Sequence, residues 1–265
     1  MKKQLLSILL TFIGTIAFSQ TYTFSSAGAT GLMGPTQTQV NAAYNSTTLN
    51  GAVKVVAGTQ LWRVPATGNY LIQAVGASGG GVSAGMGADM TGEFSLTAGD
   101  TLLIIVGQQG VDGTDGSASG GGGSFVVIKD PLSSTITARG RAVRPLIIAG
   151  GGGANPGVAH PDCHANTGTS GHGGSGANGS GIGGLTGNGG GISVPNGNNR
   201  GGGGGGFLTD GERTGTCTTS GEESGFSFLN GGEGGKSTSC GTGQYAGGFG
   251  GGGGAISTGW RSSGG

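Results

Sequence analysis

Runs of glycine, which have no side chain to pack, limit most what this chain can fold into. Glycine supplies 69 of the 265 residues, and its runs fall at 150–153, 171–191 with interruptions, 201–206, 231–235 and 247–254. Each glycine gives up more backbone freedom on ordering than any other residue. Such runs therefore either stay flexible linkers or are ordered by dense backbone hydrogen bonding. A collagen triple helix is excluded, because glycine does not recur at every third position and proline is scarce, at 7 residues. The open alternative is polyproline-II geometry, with three residues per turn and every N–H and C=O directed outward, so that neighbouring side-chain-free helices bond one another. In that arrangement Phe207, Leu208, Phe249 and Trp260 are expected at helix ends or on the bundle surface. Plain disorder fits poorly, since only 9% of residues are charged and isolated apolar residues interrupt the runs.

Before residue 150 the pattern changes to short apolar segments separated by turns. Tyr70, Ile72 and Ala74 alternate with Leu71, Gln73 and Val75, the period of a strand. Residues 60–64 precede that segment across a Pro and Gly turn at 65–68. Residues 91–96 and 101–106 flank Gly99 and Asp100, which reads as a hairpin, and the unbroken apolar run of the second segment predicts burial on both faces. Residues 22–24, 124–128 and 145–149 add further strands, about seven in all. No capped amphipathic helix is evident in the mature chain. The expected fold class is all-β, a sandwich or jelly-roll module over residues 20–149 followed by a glycine-rich unit over 150–265.

The leader has Lys2 and Lys3 ahead of an apolar stretch at 5–17, with small residues after it. Ala17 and Ser19 occupy the positions that a signal peptidase reads, so cleavage is expected between Ser19 and Gln20, with export to the cell surface or the extracellular space. The apolar stretch is short of the roughly 20 residues that span a bilayer, and no later run is longer. Cysteine is sparse. Cys217 and Cys240 form a candidate disulfide in an oxidising compartment. Cys163 is left over, as a thiol or as half of a bridge to residues past 265, one of several signs that the chain is a fragment. Nucleic acid is not an expected partner, because twelve basic residues are balanced by twelve acidic ones and scattered. The nearest basic cluster, Arg139, Arg141 and Arg144, reads as one exposed loop.

Catalytic and cofactor motifs are weak. The stretch GGEGGKS at 231–237 is P-loop-like, but Asn230 stands where the motif needs glycine, with no strand before or helix after. His160, Asp162, Cys163, His164 and His172 carry zinc- or copper-binding groups, with His160, Cys163, His164 and His172 the metal candidates. Their spacing fits no standard site, and a surface loop is the simpler reading. Asp112 and Asp115 lack the spacing and closing Glu of a calcium loop. No nucleophile elbow or Ser-His-Asp set can be nominated, so no catalytic residue and no cofactor are expected.

Several strings in order resemble the glycine-rich extracellular region of the anaplastic lymphoma kinase and leukocyte tyrosine kinase receptors. They are GATGLMGPTQTQ at 28–39, LWRVPATGNYLIQAVGASGGG at 61–81, LIIVGQQG at 103–110, GGGGSFVV at 120–127 and PLIIAGGGG at 145–153. GGGGGGFLTDG at 201–211, SFLNGGEGG at 227–235 and GGFGGGGG at 247–254 continue the match. The resemblance implies a tumour-necrosis-factor-like sandwich carrying an inserted bundle of polyglycine-II helices, which in those receptors binds small helical proteins and drives dimerisation of a kinase. Ala27 and Val40 stand where the family has cysteines, so its N-terminal disulfide is not expected, and the leader looks bacterial. The expected function is a secreted or surface-attached, non-catalytic interaction module with an unknown protein or glycan partner and a capacity for homo-oligomers. A receptor-kinase ectodomain fragment and an adhesin like those of phage tail tips are the alternatives.

Overall fold

The computed structural model describes residues 20–112, 118–130, 137–138, 141–155, 163–171, 182–192, 201–213, 224–236, 245–255 and 264–265. One helix, α1 (Gln37–Tyr44), precedes eight strands: β1 (Val53–Val56), β2 (Thr59–Arg63), β3 (Gly68–Val75), β4 (Asp89–Leu96), β5 (Thr101–Ile105), β6 (Ser124–Lys129), β7 (Thr137–Ala138) and β8 (Arg141–Ala149). A six-stranded sheet has the order β1-β2-β5-β6-β8-β7, and a two-stranded sheet pairs β3 with β4. Every pairing is antiparallel. The fold is all-β with one short helix.

Several expectations are corrected here. Residues 91–96 and 101–106 do not form a hairpin: β4 pairs β3 while β5 pairs β2 and β6, so the turn at Gly99 passes between sheets. A tight turn fixes chain reversal, whereas burial of both faces of β5 demands a central place in the larger sheet. Residues 22–24 are extended but join no ladder; their rings pack instead. Arg141 and Arg144 lie in strand β8, not in a loop, and Arg144 pairs with Asp130 at 3.6 Å; Arg139 lies outside the described residues. The chain does contain a capped helix. The Thr36 side chain accepts from the Gln39 amide while the Gln39 side chain accepts from the Thr36 amide, a reciprocal capping box.

The six-stranded sheet is buried on both faces. On one, Trp62, Leu102, Ile104, Val126, Ile128 and Ile147 pack under the small sheet, α1 and the N-terminal segment. Tyr22, Phe24 and Tyr70 surround Trp62 with ring centroids 4.6, 5.8 and 6.3 Å away. Gln60, fully buried, is satisfied by the Tyr44 hydroxyl at 2.7 Å and the Ser25 carbonyl at 2.8 Å. On the other face Leu103, Ile105, Phe125, Val127 and Val143 meet Phe207, Phe228 and Phe249. Phe228 contacts Phe207 at 5.4 Å and Phe125 at 5.5 Å. Phe207 and Phe249 are thus core residues joining the glycine segments to the sheet, where helix ends or the bundle surface were expected; Leu208 is exposed, and Trp260 lies outside the described residues. Burying each such ring contributes roughly 1.5–3 kcal/mol, which side-chain-free runs cannot supply.

Strand ends continue directly into glycine segments: β3 into 76–80, β5 into 106–111 and β8 into 150–155, while 118–123 leads into β6. Successive amides in the last of these turn to different neighbours. Gly120 donates to Gly253, Gly121 to Gly152, Gly122 to Gln108 and Gly123 to Gly250, each at 2.9 Å. Carbonyls of the same segment accept from Ala77, Gly248 and Gly265. Bonds of this kind cross residue 150 repeatedly, so the backbones before and after it interleave. A Cβ on Gly122 would overlap the Phe249 carbonyl, which is why side chains are missing where segments meet. Buried Ser119 and Ser124 add side-chain bonds to this backbone. The Ser119 hydroxyl accepts from the Val111 amide at 2.6 Å and donates to the Ala246 carbonyl at 2.6 Å.

Candidate functional site

Among the described residues, the glycine-rich segments after residue 163 carry three of the six exposed large apolar side chains outside the sheets. Residues 182–192 fold back on themselves, with Ile182 bridged to Gly191 and the reversal at Thr186 and Gly187, both at positive φ. Thr186 donates to the Thr169 carbonyl at 2.9 Å, and Leu208 to the Gly187 carbonyl at 2.8 Å, which fixes this turn against two neighbouring segments. On it Ile182 is 57% and Leu185 59% exposed, with Leu208 alongside at 37%. These values matter because the same segments bury Phe207 and Phe228 almost completely. A second exposed apolar pair, Val82 and Met86, sits on the loop at 81–87.

Carboxylates near the outer turn are occupied in holding backbone. Asp210 accepts from the Ser227 amide at 2.7 Å and the Asn230 side-chain amide at 2.9 Å, and Glu212 accepts from the Ile192 amide at 2.9 Å. The arrangement suits a rigid contact surface, with apolar side chains raised on a hydrogen-bonded backbone. Among the described residues the one displaced ionisation is that of Tyr22, whose phenol is held above its usual range by burial and then by Tyr70.

Of the metal candidates, Cys163 and His164 lie within the described residues. Cys163 is buried, its thiol donating to the Ala154 carbonyl at 3.8 Å, whereas His164 is exposed and its Nδ1 accepts from the Met86 amide at 3.0 Å. His160 and His172 lie outside the described residues, as do Ser19, Cys217, Cys240 and Asp115; Gln20 is exposed. Among the described residues no group of three or more His, Cys, Asp or Glu side chains is placed to hold a metal ion. In the P-loop-like stretch the Gly234 and Gly235 amides donate to the Leu32 and Gly252 carbonyls and so are not turned to a phosphate. Ile182 and Leu185 went unnoticed in the sequence. Their signal is two large apolar residues three apart in a glycine run, the repeat of an extended three-fold helix.

Taken together, fold and surface define an all-β module with interleaved glycine segments and an exposed apolar turn. Over 105 residues the chain is 42% identical to the leukocyte tyrosine kinase receptor of Mus musculus. The match covers 37% of this chain and 12% of that receptor. No protein-family model matches the chain. Among the described residues no helix is long and apolar enough to cross a membrane.

Proposed function

We propose that this chain is an exported, non-catalytic, receptor-like extracellular module that presents a stiff surface to a protein or glycan partner. The observation that carries this is the 105-residue similarity to a receptor tyrosine kinase, joined to a backbone in which glycine amides bond across segments. We read those segments as polyglycine-II helices on a tumour-necrosis-factor-like sandwich. Three successive amides turning to three neighbours is what a three-residue repeat without internal bonds requires. In this reading residues 1–19 are removed after Ser19, residues 20–149 form the sandwich, residues 150–265 build most of the bundle, and Cys217 bonds Cys240.

The same similarity favours a second reading, an ectodomain piece of a receptor whose kinase lies in other residues. In both readings the contact surface is the outer turn around Ile182, Leu185 and Leu208. The test is capture of the secreted chain on arrays of purified cell-surface proteins and polysaccharides, beside a double variant, Ile182→Asp with Leu185→Asp. A signal on one class that the double variant loses while keeping its thermal midpoint supports the reading. Silence on both arrays contradicts it, as does a signal indifferent to the two substitutions.

A further inference from the structure

Edge strands of a sheet offer unpaired amides and carbonyls to any extended chain. In β1 the Val55 amide donates to Gln37 Oε1 at 2.8 Å, and Gln37 Nε2 donates to the Val53 carbonyl at 2.9 Å. One carboxamide therefore takes the amide of one residue and the carbonyl of the residue two before it. That is the bonding a parallel neighbouring strand makes through the N–H and C=O of one residue, so a single side chain occupies the place of that residue's two groups. The Val53 carbonyl and the Val55 amide therefore point away from β2, although Val53 and Val55 stand opposite Trp62 and Gln60 in the register.

Gln37 is held for this task. It is the first residue of α1, the capping box fixes the start of that helix, and Gln37 Nε2 also donates to Asn41 Oδ1 at 2.8 Å, one helical turn on. Other edge defences are present too. β1 has only four residues and carries exposed Lys54, and the opposite edge, β7, has two.

We infer that Gln37 closes the β1 edge against strand addition, and that the chain it excludes is β1 of a second copy. The second copy follows from symmetry. Two such edges related by a two-fold axis present the same outward pair, Val53 and Val55, so each supplies the bonds the other lacks, and the six-stranded sheet continues without a break. This concerns the opposite end of the large sheet from β7 and does not depend on the partner proposed above.

The test is the mass of the secreted chain in solution, by light scattering and sedimentation, for wild type, Gln37→Leu and Gln37→Glu. Gln37→Leu removes both bonds and is expected to assemble, at least doubling in mass at concentrations where the wild type does not change. Gln37→Glu keeps the acceptor for Val55 and loses the donor to Val53, so it should assemble less. Adding Val55→Pro, which deletes the amide an incoming strand needs and is tolerated on an edge, is expected to return Gln37→Leu to the wild-type mass. Wild-type mass in both single variants overturns the inference even if they melt earlier, because Gln37 then only anchors the helix. Assembly undiminished by Val55→Pro overturns it as well, since association would use another surface.

Discussion

The Ser124 hydroxyl donates to the Val75 carbonyl at 2.6 Å, tying the start of β6 in the large sheet to the end of β3 in the small one. The same oxygen accepts from the Gly107 amide at 2.9 Å. One buried hydroxyl thus joins three backbones where strands give way to glycine segments.

Ser124→Ala leaves that carbonyl and that amide without their partner in a part-buried place. We expect a loss of about 1–3 kcal/mol, read as a lower denaturant midpoint. Ser124→Cys is expected to rescue little, because a thiol is a weak donor and acceptor.

Gly122→Ala puts a methyl group onto the Phe249 carbonyl, with Gly250 close behind. Overpacking of this kind costs about 1–3 kcal/mol, and here the obstacle is backbone with no rotamer to change. Gly68 is the control. It lies at the start of β3 with nothing within 4 Å of the place a Cβ would take and no positive φ, so Gly68→Ala should stay within about 1 kcal/mol of wild type. Equal effects at the two positions would contradict the close approach of segments.

Phe249 is 1% exposed, and its ring fills the contact between glycine backbone and Gly34 and Gly58. Phe249→Ala is expected to cost about 3–5 kcal/mol, with Phe249→Leu costing clearly less. Thermal unfolding of both variants checks the order.

Because folding raises the Tyr22 pKa, the folded chain resists ionisation where the unfolded chain accepts it. The stability linked to this phenol is complete below the ordinary tyrosine range and declines as pH rises through the raised value. Denaturant midpoints between about pH 9 and about pH 11 should fall less steeply in Tyr22→Phe than in wild type.

Much of the strand pattern was legible because alternation has a direct physical cause. Tyr70 and Ile72 face inward and Leu71 outward, as their spacing required, and Leu102 to Ile105 are buried without a gap. Partner choice was not legible: nothing local to Gly99 says that β4 and β5 belong to different sheets. The helix was missed although Thr36 and Gln39 carry its start signal, because its only buried apolar residues are Val40 and Tyr44, too few to mark a face. β1 was missed because its four residues include an exposed lysine. In the glycine-rich half, Phe207, Phe228 and Phe249 look like interruptions of a run. Their role depends on the far face of a sheet that lies elsewhere in the sequence. The outer turn was hidden for a related reason, since exposure of Ile182 and Leu185 follows from which segments lie beneath them.

Amide hydrogen exchange of the intact chain, resolved at residues 120–123, 150–153, 201–206 and 247–254, is the most direct test that cross-segment bonding makes glycine rigid. Slow exchange across all four, comparable to that of β5 and β6, is predicted. Exchange at the rate of an unstructured peptide in these segments, with β5 and β6 still protected, would contradict it.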